Sequence, residues 1–290
     1  STDPHHGREV RPGPATMVTT QHHRFHRSTR STGRTPMRIR VVNPNTTASM
    51  TRAIGIAAQA AAAPGTLVEA VEPSMGPASI ESHYEEALAV PGLLEQIARG
   101  EQDGVDAFVV ACFGDPGLDA ARELATVPVI GIAEAGFHAA AMLGRRFGVV
   151  TTLARTTGRA HELAQRYGFA PLVTEIRACE VPVLELDDPA SGARALVTEE
   201  CRAVIDGGAD AVVLGCAGMA DFCAEISLAI GAPVVDGVAA ATVLAESLVR
   251  LGVSTGKRGE YALPPTKAMS GLLAGFERHP VAVATAGAGA

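Results

Sequence analysis

Gly104-Val105-Asp106-Ala107-Phe108-Val109-Val110-Ala111-Cys112-Phe113-Gly114 is answered later in the chain by Gly208-Ala209-Asp210-Ala211-Val212-Val213-Leu214-Gly215-Cys216-Ala217-Gly218. In both copies an Asp-Ala start leads into a short apolar, β-branched run, then a cysteine, then a glycine two residues on. The run predicts a buried strand of a parallel sheet, and the break after it a loop leading into a helix. Each cysteine therefore stands where a strand ends, the place where open α/β sheets bind ligands. The echo continues: Pro128-Val129-Ile130-Gly131 lies 16 residues beyond Cys112, and Pro233-Val234-Val235-Asp236 lies 17 beyond Cys216. An Ala-rich helical pattern follows each. The pattern predicts an α/β chain of two similar halves with parallel sheets, facing each other across a shared site.

Outward from the repeat, apolar runs alternate with helical patterns. Arg38–Val42 predicts a first strand, stopped by Asn43-Pro44-Asn45-Thr46-Thr47, whose residues suit a turn and a helix N-cap. Leu67–Val71 predicts a second strand and Glu85–Arg99 an amphipathic helix. Helices follow over Leu118–Ala125 and Phe137–Leu143. Arg146–Val150 opens the second half and ends in Thr151-Thr152, as Arg38–Val42 ends in Asn43-Pro44-Asn45. Helices are expected from Gly158 to Tyr167, Ala193 to Gly207, Phe222 to Ile230 and Val238 to Leu251, with an extended stretch at Val173–Ala178. The expected division is a disordered leader over 1–36, a first half over 37–143, a second over 144–276 and a flexible tail over 277–290. The last helix is placed to cross back onto the first half.

Composition narrows the function classes. The 290 residues include no Trp and only 4% aromatics, so the core is aliphatic and Ala-rich. No apolar run reaches the ~18 residues of a membrane span. The net charge of −7 divides unevenly, +4 over residues 1–36 and −11 over the rest. So acidic a body repels phosphate backbones, which argues against nucleic acid as a partner. The Arg-rich leader also has the composition of a transit peptide, but it lacks the apolar core of a secretory signal. Five cysteines without a C-x-x-C spacing suit reduced thiols in a cytoplasm better than disulfides or a structural zinc. No metal cluster is expected. The Gly-rich stretches match neither a P-loop nor G-x-G-x-x-G, so no nucleotide cofactor is implied.

Cys112 and Cys216 are the candidate catalytic pair. Backbone N–H groups and helix starts beyond each favour thiolate over thiol, which predicts a lowered thiol pKa. The same N–H groups suit an oxyanion as charge develops on a substrate carbonyl or enolate. A thiolate on one side and a thiol on the other make a base and an acid for a carbon acid between them. Inverting a stereocentre needs a proton taken from one face and another delivered to the opposite face. Gly114 and Gly218 let the backbone approach closely, and Asp115 is placed to cap the helix after Cys112. Cys179, Cys201 and Cys223 read as core packing. Asn45, Thr46 and Thr47 divide between turn chemistry and ligand binding, a choice that Thr151 and Thr152 tilt slightly towards ligand. Glu81 and His83 read as a solvated helix start before an acid–base pair, His138 and His161 as structural, and Lys257–Tyr261 as a solvated loop.

Four segments carry a resemblance to a known family: Arg38-Ile39-Arg40-Val41-Val42-Asn43-Pro44-Asn45-Thr46-Thr47, Ala111-Cys112-Phe113-Gly114-Asp115-Pro116-Gly117-Leu118, Val149-Val150-Thr151-Thr152-Leu153 and Val213-Leu214-Gly215-Cys216-Ala217-Gly218-Met219. Pro233-Val234-Val235-Asp236-Gly237-Val238 extends it. Together they resemble the aspartate/glutamate/hydantoin racemase superfamily, in its hydantoin and allantoin racemase branch, over Met37 to Phe276. The resemblance implies two flavodoxin-like, three-layer α/β/α halves related by a pseudo-two-fold axis, with the site between them. It implies racemisation without metal or cofactor by the pair that here is Cys112 and Cys216. It further implies that Asn45, Phe113, Gly114, Thr151, Thr152, Gly215 and Ala217 hold the substrate ring, and that the protein is a homo-oligomer acting on a small molecule.

The substrate implied is a 5-substituted hydantoin. Cys112–Gly117 and Gly76–Tyr84 look more like the allantoin members than the alkyl- or aryl-hydantoin ones. The alternatives are an Asp/Glu racemase, a single-cysteine decarboxylase or isomerase of the same superfamily, and a two-lobed small-molecule sensor.

Overall fold

The computed structural model describes residues 36–186 and 188–277. Apart from Pro36 and Glu277, the expected leader and tail lie outside the described residues. Two four-stranded parallel sheets organise the rest. In the first, β1 (Arg38–Val42), β2 (Leu67–Val71), β3 (Ala107–Val110) and β4 (Val129–Gly131) lie in the order β2-β1-β3-β4. In the second, β5 (Phe147–Thr151), β6 (Val173–Ala178), β7 (Ala211–Leu214) and β8 (Val234–Asp236) repeat it as β6-β5-β7-β8. Every residue of β3 and β7 is buried, as their continuous apolar runs demand when helices cover both faces of a sheet.

The shared strand order places the site. Chain direction switches between β1 and β3, which pair from Ile39↔Ala107 to Val42↔Val110, and between β5 and β7, which pair from Phe147↔Ala211 to Val150↔Leu214. The loops leaving neighbouring strands diverge there and open a crevice at the carboxyl ends. Asn43–Thr47 and Cys112–Gly114 leave one crevice; Thr151–Thr152 and Gly215–Ala217 leave the other.

The helices are α1 (Ala48–Ala61), α2 (His83–Asp103), α3 (Leu118–Leu124), α4 (Ile132–Leu143), α5 (Ala154–Arg166), α6 (Ala193–Asp206), α7 (Cys223–Ile230) and α8 (Gly237–Leu251). The final helix of each half crosses to the other. Helix α4 packs on β7, β8 and α8, while α8 packs on β1, β3 and α1. Buried Glu246 of α8 ties this exchange down, accepting hydrogen bonds from Ala63 N (2.9 Å) and Thr66 Oγ1 (2.5 Å). Small residues make the crossing possible: a Cβ on Gly237 would fall 2.6 Å from the Ile132 carbonyl. Phe137 of α4 is fully buried between Phe113 of the first half (5.6 Å between centroids) and Phe147 of the second (5.7 Å).

Three helices start earlier than their local sequence indicates. Helix α2 begins at His83 because Ser82 Oγ accepts from Glu85 N (3.3 Å), and it runs to Asp103, where Gly104 turns left-handed (φ 68°). Helix α5 begins at Ala154 with no side-chain cap of its own N-cap residue; Glu180 accepts from the Ala154 N–H instead (2.9 Å). Helix α4 begins five residues before the expected Phe137, because its cap comes from Asp115. The segment after α8 is exposed over Arg258–Glu260, as expected of a solvated loop, but its ends are tethered: Lys257 Nζ donates to the Arg122 and Glu123 carbonyls at the end of α3, and the Tyr261 hydroxyl to Asp119.

Candidate active site

The two crevices merge into one cleft of about 180 Å³. The residues singled out from sequence come together in it: Cys112, Phe113 and Gly114 follow β3, Gly215, Cys216 and Ala217 follow β7, Asn45 follows β1, and Thr151 ends β5 with Thr152 just beyond it. Thr46 and Thr47 do not line it. Their hydroxyls donate to the Pro77 (3.3 Å) and Ala78 (2.7 Å) carbonyls and hold the segment before α2.

Polar side chains around the thiols are ordered by one another. Asn45 Oδ1 accepts from Asn43 Nδ2 (2.8 Å) and Thr47 N (2.9 Å), so the side chain is locked with its residue 4% exposed. Thr151 Oγ1 lies 3.0 Å from Thr156 Oγ1 and 3.3 Å from the Gly215 carbonyl, joining the β5 loop to the Cys216 loop. Gly215 leaves no room for a side chain: a Cβ would meet Thr151 Cβ and the Val150 carbonyl at 3.0 Å.

The thiols themselves depart from expectation. Burial pushes the Cys112 thiol up to about 12; the Gly114 N–H pulls it down but does not compensate, and the nearby Cys216 raises it further. The expected lowering fails for a geometric reason. Helix α3 starts at Leu118, beyond a turn closed by Asp115 N on the Cys112 carbonyl (2.9 Å), so its positive end is not at the sulfur. Cys216, in contrast, is itself the N-cap of a 3₁₀ turn over Ala217–Phe222. The Coulombic coupling between the sulfurs opposes ionising both at once. Asp115 does not cap α3 either, whose N-cap is Gly117; its carboxylate caps α4.

At the lip of the cleft, sequence reading singled out Glu81 and His83 but passed over Glu86, Arg155 and Arg159. Arg159 of α5 donates from Nε (3.1 Å) and Nη2 (2.9 Å) to the Gly114 carbonyl and pairs with Glu86 of α2 (2.6 Å). Burial holds the Glu86 carboxyl above its ordinary value, although Arg159 and His83 both pull it down. Nearby, Glu81 accepts from Val183 N (2.8 Å) and Ser79 Oγ (2.8 Å). Two contacts, Glu81–Val183 and Glu86–Arg159, thus fasten the segment at the start of α2 to the second half. His83 and Arg155 also line the cleft and are exposed. These residues look like ordinary surface positions of amphipathic helices, and their partners lie far away in sequence. Arg159→Gln removes the ion pair and weakens the grip on Gly114; kcat/KM is expected to fall ~10- to 100-fold, from the ~1.5–3 kcal/mol of a charged hydrogen bond. Steady-state rates of the variant against wild type check it.

Cys179 and Cys201 are buried and Cys223 is half-buried, all outside the cleft. Among the described residues no cluster of three or more His, Cys, Asp or Glu is arranged to hold a metal ion, and no helix is long and apolar enough to cross a membrane.

This two-cysteine cleft between duplicated halves agrees with a family model, Asp/Glu/Hydantoin racemase, which matches residues 39–245. The chain belongs to this racemase family. It is therefore an isomerase, of the racemase type, acting on a small molecule. It is 48% identical to a hydantoin racemase of Pseudomonas sp. (strain NS671) over 84% of this chain and 98% of that protein. With a hydantoin racemase of Rhizobium meliloti it shares 46% identity over 81% and 98%. A solved allantoin racemase from Klebsiella pneumoniae superposes with a TM-score of 0.82 at 50% identity, covering 84% of this chain and all of that one. Residues 39–245 reach from β1 into α8, so the racemase family model spans both sheets and both cysteine loops.

Proposed function

We propose that this racemase inverts C5 of 5-substituted hydantoins, without cofactor, by proton transfer between Cys112 and Cys216. The observation that carries the reading is that the two cysteines, each after the equivalent central strand of its own half, line a single cleft. One thiolate removes the C5 proton; the other sulfur, as a thiol, delivers its own proton to the opposite face. The roles exchange with the enantiomer bound. The intermediate is an anion spread over the C4 carbonyl. Backbone N–H groups of the Cys112 and Cys216 loops, with Asn45, Thr151 and Thr152, supply donors for the ring. A thiolate as basic as a desolvated Cys112 is matched to a weak carbon acid, and the neutral partner is matched to the return step.

Allantoin, whose C5 substituent is a ureido group, is the favoured substrate. The lip near the cysteines presents Glu81, Ser82, His83 and Arg155, polar groups suited to hydrogen-bonding amides rather than to enclosing an alkyl chain. Polarimetry with single enantiomers of allantoin, a 5-alkylhydantoin, aspartate and glutamate tests the substrate class. Loss of rotation with allantoin, slower loss with the alkylhydantoin and none with the amino acids is expected. Racemisation of the amino acids alone would overturn the reading.

A further inference from the structure

In each half, the helix after the last strand begins on a buried carboxylate, but the carboxylates come from different places in the sequence. In the second half Asp236 is the N-cap residue of α8 and accepts from Val238 N (2.9 Å) and Ala239 N (2.9 Å). The matching residue of the first half is Gly131, with the same extended backbone (φ −85°, against −85° for Asp236). Glycine has no group to cap α4. Asp115 supplies one: its Oδ1 accepts from Ala133 N (3.1 Å), and its Oδ2 accepts from Glu134 N (3.0 Å) and from the Tyr167 hydroxyl (2.7 Å). A Cβ on Gly131 would lie 2.4 Å from Asp115 Cγ, and its three nearest neighbours would all be atoms of that carboxyl group.

A cap drawn from a distant loop does more than hold a helix. Asp115 belongs to the turn that carries Cys112 and closes it through its own N–H on the Cys112 carbonyl (2.9 Å). It sits in left-handed backbone (φ 44°), a conformation that a non-glycine residue keeps only when its surroundings hold it there. Helix α4 in turn lies on β7, the strand that leads to Cys216; a Cβ on Gly136 would fall 2.9 Å from Val213 Cγ1. Tyr167, at the end of α5, anchors the same carboxylate from the second half. Taking the two-cysteine reading as its basis, we propose that Asp115 is a positioning residue: it pins the Cys112 turn to α4 and so fixes the Cys112 thiol relative to Cys216. Gly131 is glycine because the carboxylate of Asp115 occupies the space of its side chain.

Moving the carboxylate separates the cap from the pin. The double variant Asp115→Ala with Gly131→Asp gives α4 its own N-cap, as α8 has, and frees the Cys112 turn. It is expected to regain at least half of the Tm lost by Asp115→Ala alone, with KM within about threefold of wild type and kcat lowered about tenfold or more in both directions, since small displacements of reacting groups carry large rate penalties. A readout independent of racemisation accompanies it. In a Cys216→Ser background, the rate of Cys112 alkylation by iodoacetamide is expected to shift about threefold or more when the carboxylate is moved. A double variant with wild-type kcat and an unchanged alkylation rate would reduce Asp115 to a helix cap and overturn the proposal. If the double variant fails to fold, Tyr167→Phe, which leaves the cap intact, decides: a lowered kcat at constant KM supports the pin and an unchanged kcat refutes it. If wild type racemises no hydantoin, the functional reading falls, and the alkylation rates alone decide whether Asp115 positions the thiol.

Discussion

Serine in place of either Cys112 or Cys216 is expected to lower racemisation by ~10³-fold or more in both directions, within the range that a positioned acid or base contributes. A hydroxyl at either place is too weak an acid to ionise there and serves poorly as a base. Both halves of the reaction need both groups, since each turnover uses one sulfur as base and the other as acid. The two variants nevertheless differ. Each keeps the thiol on one face of the substrate, so each is expected to exchange the C5 proton of one enantiomer with solvent, the opposite one in the two variants. Polarimetry measures the first effect, and proton NMR of single enantiomers in deuterated water the second. Undiminished turnover by either variant would end the two-base mechanism and leave a single-thiol chemistry.

The second large effect is on pH. Burial holds the Cys112 thiol at about 12, so folding favours its neutral form. The sign follows: the stability gained by keeping the proton is fully present below the pKa of an unfolded cysteine and is lost as pH rises through the folded value. Alkylation, which needs the thiolate, runs the other way. In the Cys216→Ser variant, the rate of Cys112 modification is expected to climb ~100-fold between pH 7 and pH 9 without a plateau, about tenfold for each unit below the pKa. An exposed cysteine titrating near 8.5 would level off in that range. A plateau below pH 8 would show instead that the cleft stabilises the thiolate.

That reversal marks where the sequence ceased to be readable. The central strands were legible because Ala107–Val110 and Ala211–Leu214 are continuous apolar runs, and burial on both faces leaves no other pattern. The positions of Asn45, Thr151 and Thr152 were legible too, because each lies at or just beyond the end of a strand where chain direction switches. What escaped notice depends on tertiary partners. The start of α4 was invisible since Gly131 offers no cap and Asp115 lies 16 residues earlier. Arg159 reads as one more charged residue on a surface helix until its contact with Gly114, 45 residues away, is in view. The thiol pKa depends on how deeply the sulfur sits and on where α3 begins, and a strand followed by glycine specifies neither.

The reading as a whole stands on one sulfur taking the C5 proton while the other delivers a different proton to the opposite face, and the labelling pattern at low conversion tests that most directly. A single enantiomer of allantoin is incubated with the wild-type protein in deuterated water, the reaction is stopped early, and the two enantiomers are separated and weighed by mass spectrometry. Thiol protons exchange with solvent, so the acid always delivers deuterium, while the enantiomer not yet turned over keeps its original hydrogen. Product carrying one deuterium at C5 beside unlabelled remaining substrate is the expected result. Product that retains the substrate's own hydrogen, or equal labelling of both enantiomers from the first time points, would mean that one group handles both faces and would contradict the account.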